Sequence, residues 1–247
     1  PADMRTVAKR EADGWRIQGN KHYITNAREA DFIVLYAKTA PAEGHNGISA
    51  FIIPKDTGGV VFSSPEKTMG LRGSTIYELS LDCWLPQSAL LGKEGQGFAT
   101  AMEVLDRGRV EVAAMSLGIA SAAMESCLQW VHDRQIGPKP LMAYQGTQWR
   151  LADMHTQLQA ARMLTWQAAE KRDSGQRFSL DSATAKLFAA ECAGFVTDAA
   201  LQLHGGYGYI RDLPLERYVR DARILRIFEG TSEIQKIIIS RSLLNNR

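Results

Sequence analysis

The strongest constraint on the fold is a change of residue pattern near residue 97. Between residues 6 and 91, short runs rich in β-branched and aromatic residues alternate with turn signals such as Asp13-Gly14 and Gly58-Gly59. Beyond Gly97 prolines are rare and apolar residues recur at helical spacing. The sequence therefore predicts an α+β protein, with an antiparallel β-barrel or sandwich domain over residues 1–93 and a C-terminal four-helix-bundle domain over residues 94–247.

The helical part divides into four predicted helices. Three long periodic segments cover residues 98–131, 148–171 and 180–205, and a final helix runs from about Thr231 to Leu244. Gly175 and Gly205 are placed as helix stops. The third segment is small or apolar on nearly all faces, which is typical of a helix buried inside a bundle.

Composition excludes several classes of function. A formal net charge of +2, from 29 basic and 27 acidic residues, gives no field that favours nucleic acid or an anionic membrane. Three widely spaced cysteines indicate neither a disulfide framework nor a metal site, and favour a reducing compartment. We find no apolar run of about 20 residues, so we expect no membrane span. Because the chain opens on "PADM" without a methionine, we also expect that an N-terminal portion precedes it.

The segment "RIFEGTSEIQ", residues 226–235, places an acid directly before a glycine at a loop-to-helix junction. Beside Ile227 and Phe228, burial would raise the pKa of Glu229 and make its carboxylate a better base near neutral pH. Gly230 would let a substrate approach the backbone closely. The alternative is a helix-start charge that interacts with the helix dipole, and spacing alone does not decide between the two.

A glycine-rich segment, "QLHGGYGYI" at residues 202–210, follows a predicted helix. It is either a helix end followed by a loop, or a place where backbone amides approach a cofactor. It does not follow a strand, which excludes a Rossmann dinucleotide fingerprint. His204 has no partner ligands at a useful spacing, so we interpret it as a hydrogen-bonded structural histidine, and we predict no metal site.

Two further segments carry weaker signals. The loop "DRQIGPKPLMAYQ", residues 133–145, contains Arg134 and Lys139. The guanidinium suits a pyrophosphate, although the loop could equally be a solvated basic connection. In "HYITN", residues 22–26, alternation along a strand places Tyr23 and Thr25 on one face. There they could stack on and hydrogen-bond to a flat heterocycle, or be ordinary strand residues.

Taken together and in this order, the segments resemble the acyl-CoA dehydrogenase family. The resemblance covers essentially the whole chain. It is carried by "GWRIQGNKHYITNA", "KTMGLRGSTIYELSL", "LLGKEGQGF", "LDRGRVEVAAMSLG", "RQIGPKPLMAYQ", "LADM" and "QLHGGYGYIRDLPLERYVRDARILRIFEGTSEIQ". The resemblance implies a middle β-domain followed by a C-terminal four-helix bundle, assembled as a homotetramer or homodimer, with FAD held between domains and across subunits. It also implies a helical N-terminal domain before Pro1.

The resemblance implies a reaction as well. Glu229 would remove the α-proton of an acyl-CoA thioester while hydride leaves the β-carbon for flavin N5, giving a 2-enoyl-CoA. Electrons would then pass to an electron-transfer flavoprotein. The backbone N–H of the base and a flavin ribityl hydroxyl would polarise the thioester carbonyl, because charge develops on that oxygen. We expect a cytoplasmic bacterial protein, with the mitochondrial matrix as the alternative.

Residue by residue, the resemblance gives the following site. Tyr23, Ile24 and Thr25 match flavin contacts, with Tyr23 where the family usually has Trp. The remaining expected cofactor contacts are Arg134, Ile136 and Gln145, which would reach the FAD of a neighbouring subunit, and Gln202, Leu203, His204, Gly205, Gly206, Thr231, Ser232 and Glu233. The expected substrate contacts are Asp106, Arg107, Gly108, Arg109 and Gly230.

Three positions depart from, or vary within, the family pattern. Gly137 and Pro138 stand where the family has Phe and Gly, which leaves the conformation of that loop open. One subgroup carries its base at the position of Gly108, so Glu229 is the candidate base here. Two alternative functions remain: a non-dehydrogenating relative, such as an acyl-CoA desulfinase or a flavin monooxygenase, and a non-enzymatic fragment or assembly partner. The acyl-chain preference is not predicted.

Overall fold

The computed structural model describes residues 4–245. It divides into two compact units, Pro1–Val104 and Leu105–Arg247. The first helix, α1, spans Gly97–Asp133 and so begins in the last residues of the first unit. Our boundary between residues 93 and 94 stays a prediction.

The first unit contains one seven-stranded sheet with the strand order β5-β6-β2-β1-β3-β4-β7. Its strands are β1 (Val7–Glu11), β2 (Gly14–Thr25), β3 (Phe32–Lys38), β4 (Ile48–Pro54), β5 (Val60–Phe62), β6 (Ile76–Pro86) and β7 (Leu90–Leu91). Along β6 buried and less buried residues alternate strictly, as expected for a strand with one face in a core. All pairings are antiparallel except the one between β1 and β3, which is parallel.

The sheet curls strongly on itself. The rings of Trp15 on β2 and Phe51 on β4 lie 5.3 Å apart at an angle of 70°. In a flat sheet three strand spacings would separate β2 from β4 by about 14 Å. Strands β5 and β7 form the two ends of the sheet, and within residues 4–245 they do not pair with each other. The α+β class is confirmed, with the difference that the sheet is mixed and its barrel is not closed.

The second unit contains the rest of α1 and five further helices. These are α2 (Gln145–Asp173), α3 (Ser179–His204), α4 (Gly206–Tyr209), α5 (Leu215–Arg223) and α6 (Ser232–Asn245). The four helices predicted from periodicity are α1, α2, α3 and α6. The sequence did not reveal α5, because "LERYVRDAR" is mostly charged and buries only Leu215 and Ala222. Length and apolar composition would also let α1 cross a membrane, which is weak evidence because core helices of bundles share these properties.

Helix α3 lies at the centre of the bundle and contacts α2, α5 and α6. Its buried residues are mostly alanines, found on several faces of the helix. Small side chains let neighbouring helices approach closely, so α3 has little contact with solvent. One buried residue of α3 is a lysine, Lys186, which is 0% exposed.

Candidate functional site

Glu229 lies in the connection between α5 and α6, after a 3-10 turn at Ile224–Arg226. Its backbone is left-handed, with φ of 54°, and that of Gly230 follows with φ of 92°. A left-handed residue other than glycine costs about 1–2 kcal/mol, so the surrounding contacts must hold it. The side chain of Gln235, 0% exposed, does so. Its Nε2 donates to the carbonyl of Gly230 at 2.8 Å and to that of Glu229 at 3.2 Å.

Helix α1 leaves space for the Glu229 carboxylate at Gly108. A Cβ atom at residue 108 would lie 2.9 Å from Oε2 of Glu229. Burial raises the pKa of Glu229 above its ordinary value; the cations of Arg109 and Lys186 oppose the shift, whereas Glu111 adds to it. A half-buried carboxylate with a raised pKa is suited to accept a proton near neutral pH.

In the motif of Asp106 to Arg109, Arg109 is buried and Asp106 is partly buried. Arg109 is 6% exposed and its Nη1 donates to Asp106 Oδ1, while Ser179 donates to the other oxygen of Asp106. Nε of Arg109 is buried and has no partner within the described residues. Arg107 is exposed. The resemblance implied that all four residues contact the substrate. In the structure, Gly108 and Arg109 lie next to Glu229.

The first residues of α6 lie directly after the base. The amide of Ile234 donates to Thr231 Oγ1 at 3.5 Å, as expected for a residue that caps the helix. Ser232 is buried and donates to Glu191 Oε1 at 2.9 Å. Glu233 is exposed, and hydrogen bonds from its own backbone N–H and from Thr231 lower its pKa. Thr231 and Glu233 therefore offer polar atoms beside Glu229, whereas Ser232 is already engaged inside the protein.

A second group of predicted residues lines a cavity of about 570 Å³. The predicted residues in its wall are Arg134, Ile136, Gln202, Leu203, His204, Gly205 and Gly206. Trp130 stacks on His204 with ring centroids 4.8 Å apart and donates from Nε1 to the carbonyl of Leu203 at 3.1 Å. The guanidinium of Arg134 lies 5.8 Å from the Trp130 ring and 5.5 Å from that of Tyr207. Two aromatic rings that the sequence did not single out thus hold the arginine at the cavity.

His204 is a structural residue in this wall. It is 3% exposed, its Nδ1 contacts the carbonyl of Ala200 at 2.7 Å, and burial lowers its pKa. The ring is therefore neutral near pH 7. Gly205, with φ of 60°, ends α3, as the sequence predicted. No cluster of three or more His, Cys, Asp or Glu side chains suited to a metal is found in residues 4–245.

The loop that departs from the family pattern is an ordered hairpin. Strands β8 (Gln135–Ile136) and β9 (Lys139–Pro140) pair across the two residues Gly137 and Pro138. The φ of Gly137 is 59°, as a two-residue turn with glycine first requires. Gln145 begins α2 and is absent from the described cavity wall.

The predicted residues of the first unit lie at the far end of β2. A register shift between Lys21 and Ile24 interrupts the pairing with β6, and Tyr23 has a φ of 60°. This bulge breaks the regular alternation from which we expected Tyr23 and Thr25 to share a face. Tyr23 is 71% exposed and stacks on His22 with ring centroids 4.1 Å apart.

Within the second unit, the two groups of residues lie at opposite ends of α3. Lys186 contacts Gly230 beside the base, and Gln202 lines the cavity. Sixteen residues of helix separate them, or about 24 Å at 1.5 Å per residue. Lys186 and Gln235 are parts of the Glu229 site that the sequence analysis did not identify.

Two protein-family models match the chain: "Acyl-CoA dehydrogenase, C-terminal domain" over residues 95–244 and "Acyl-CoA dehydrogenase, middle domain" over residues 1–83. The mitochondrial short-chain specific acyl-CoA dehydrogenase of Rattus norvegicus is 42% identical over 98% of this chain and 59% of its own length. The acryloyl-CoA reductase (NADH) of Anaerotignum propionicum is 46% identical over 92% of this chain and 58% of its own length. The structure of butyryl-CoA dehydrogenase from Megasphaera elsdenii matches with a TM-score of 0.96 and 40% identity, over 98% of this chain and 64% of that one. The chain thus spans about three-fifths of the length of these curated relatives.

Proposed function

The chain belongs to the acyl-CoA dehydrogenase family, and from that premise we propose that it forms the middle and C-terminal parts of an FAD-dependent dehydrogenase of acyl-CoA thioesters. Glu229 is the proposed base. The observation that carries the proposal is its half-buried carboxylate, with a raised pKa, in the space left by Gly108. The relative named as short-chain specific favours a short acyl chain.

The chain's own groups suit the proton transfer. An α-proton becomes acidic only when the thioester carbonyl is polarised as negative charge develops on its oxygen. The backbone carbonyls of Glu229 and Gly230 both accept hydrogen bonds from buried side chains. The amide N–H of Glu229 has no acceptor among the described residues, so it is free to donate to a thioester carbonyl. Glu229 then takes the α-proton, and the C–H electron pair becomes part of the new double bond.

When bound, FAD would supply the acceptor for the hydride that leaves the β-carbon, and the product would be a 2-enoyl-CoA. The residues of the cavity suit part of this cofactor: Arg134 offers a planar cation for a pyrophosphate, and the backbone at Gly205 and Gly206 is open. We propose Tyr23, Ile24 and Thr25, and Thr231 and Glu233, as the contacts of the flavin used by Glu229, whereas the hydroxyl of Ser232 is bonded to Glu191.

We also propose a homotetramer or homodimer. The separation of about 24 Å along α3 between the Glu229 site and the cavity supports contacts to two different FAD molecules. Arg134 and the cavity would then serve the FAD of a neighbouring subunit. We propose an electron-transfer flavoprotein as electron acceptor, and the bacterial cytoplasm or the mitochondrial matrix as location, since the relatives include mitochondrial and bacterial proteins.

Replacement of Glu229 by glutamine tests the assignment. The Glu229→Gln variant of the flavin-loaded protein should keep its flavin and its affinity for acyl-CoA, while turnover falls by several orders of magnitude. Anaerobic bleaching of the flavin by a panel of acyl-CoAs measures the reaction directly. Near-normal bleaching in the variant would refute Glu229 as the base, and no bleaching of the parent protein by any acyl-CoA would favour a non-dehydrogenating reaction.

One comparison favours a second candidate, reduction of an enoyl-CoA. The relative with 46% identity is named as a reductase. The same site would then work in reverse, with protonated Glu229 giving its proton to the α-carbon. Rapid oxidation of the reduced flavin by a short 2-enoyl-CoA, together with turnover on NADH, would establish this direction.

A further inference from the structure

The most unusual group in the helical unit is the side chain of Lys186. It lies on α3 and is 0% exposed, and its Nζ donates to the carbonyl of Gly230 at 2.7 Å. It forms no ion pair within the described residues. A buried ammonium without a carboxylate partner is costly, and burial lowers the pKa of Lys186 to about 8. Because burying this charge costs free energy of folding, we looked for a function of Lys186.

The Gly230 carbonyl does not need a lysine as its donor. Gln235 Nε2 already donates to the same oxygen at 2.8 Å, and also to the carbonyl of Glu229 at 3.2 Å. A neutral apolar side chain at position 186 would therefore leave no unsatisfied carbonyl. What Lys186 adds is a second anchor for the left-handed Glu229-Gly230 backbone and a positive charge close to it.

The other charges near Glu229 make that contribution distinct. On α1, Arg109 is bonded to Asp106, so a carboxylate compensates its charge, and Glu111 adds a negative charge. On α3 and α6, Glu191 and Glu233 act on Lys186 from a distance that forms no ion pair. Lys186 is thus the cation near Glu229 whose charge no contacting carboxylate neutralises.

We propose that Lys186 is a positioning residue for Glu229, which fixes the Glu229-Gly230 backbone through the Gly230 carbonyl and holds the carboxylate ionised through its uncompensated charge. This inference rests on the proposed function of Glu229 as a base. The ionised carboxylate is the form that accepts a proton. A nearby cation therefore lets Glu229 act as a base at lower pH.

The first test compares two neutral variants, Lys186→Met and Lys186→Gln. Selective ¹³C labelling of glutamate carboxyls, with the Glu229 signal assigned from Glu229→Gln, follows the titration of Glu229 by NMR without any need for activity. Both variants should raise the pKa of Glu229, because the positive charge of Lys186 lowers it. The control Lys171→Met removes a lysine bonded to Asp181 on another part of the bundle and should leave the titration unchanged.

The kinetic result follows from the sign of that shift. A higher pKa of Glu229 moves the acidic limb of the pH profile of kcat/KM to higher pH. At a fixed pH below that limb, kcat/KM therefore falls about tenfold for each unit by which the pKa rises. The loss should be in kcat, with KM for acyl-CoA and the flavin content little changed. Lys186→Gln keeps an N–H donor without the charge, so a shift in Lys186→Met alone would assign the effect to the hydrogen bond and overturn the role of the charge.

A reciprocal test leaves Lys186 in place, in case the substitutions there prevent folding. Coupling between two sites acts equally in both directions. In Glu229→Gln, the loss of the carboxylate should therefore lower the pKa of the Lys186 ammonium, which ¹³C NMR of labelled lysine measures. An unchanged Lys186 titration in Glu229→Gln, or an unchanged Glu229 titration in folded Lys186 variants, overturns the proposal whether or not the protein is a dehydrogenase.

Discussion

Replacement of Gly108 by alanine should make the helical unit more stable and the site slower at the same time. Alanine in the interior of a helix is favoured over glycine by about 0.5–1 kcal/mol. That gain would raise the melting temperature by about 1–4 °C for a chain of this size. The new Cβ, however, would lie 2.9 Å from Oε2 and 3.2 Å from Cδ of Glu229. The carboxylate would have to move by about half an ångström to reach an ordinary contact distance.

A displacement of that size matters because proton transfer depends on the alignment of the reacting atoms. A misplacement of 1 Å can cost about 100-fold in rate, so we expect a loss of about tenfold in kcat. Flavin bleaching by acyl-CoA in a stopped-flow instrument, together with thermal melting, gives both quantities. Gly118→Ala is the matched control, since it lies on the same helix and its Cβ would meet nothing within 4 Å. If Gly108→Ala gains stability without losing rate, the Glu229 carboxylate does not occupy the space beside Gly108 during catalysis.

Two further predictions concern the cavity and the core. Gly137→Ala would force alanine into a φ of 59°, which should destabilise the hairpin beside Arg134 by about 1–3 kcal/mol. We therefore expect the variant to release flavin faster in a fluorescence assay. An unchanged release rate would show that the hairpin conformation does not contribute to cofactor binding. The side chain of Met154 is 0% exposed in the core of the helical unit. Met154→Ala should therefore lower the free energy of unfolding, measured by urea denaturation, by about 2–5 kcal/mol. A loss below about 0.5 kcal/mol would mean that the core relaxes around the cavity.

The sequence predicted those features that depend on neighbours along the chain. Helical spacing revealed α1, α2, α3 and α6, and the glycine after Glu229 indicated a junction at which a carboxylate could be aimed. The curl of the sheet was not predictable in this way, because the parallel pairing of β1 with β3 and the bulge in β2 depend on partners elsewhere in the sheet.

Lys186 shows why the rest of the site remained hidden. Its partner Gly230 is 44 residues away in the sequence, and a lysine in a helix is ordinarily read as a surface residue. A signal was nonetheless present: Lys186 is the one charged residue in "ATAKLFAA", whose other residues apart from Thr184 are apolar. A single charge inside a largely apolar helical run indicates a buried contact, even though the contact itself is not predictable.

The left-handed backbone of Glu229 sets stability against activity at one position. Glycine would adopt a φ of 54° there without steric strain, and asparagine would do so more readily than glutamate. Selection for heat resistance alone would therefore replace Glu229, and a search for stabilising substitutions would remove the one carboxylate that the proposed reaction requires. Where homologous chains keep glutamate at this position, its retention reports a requirement for the chemistry rather than for the fold.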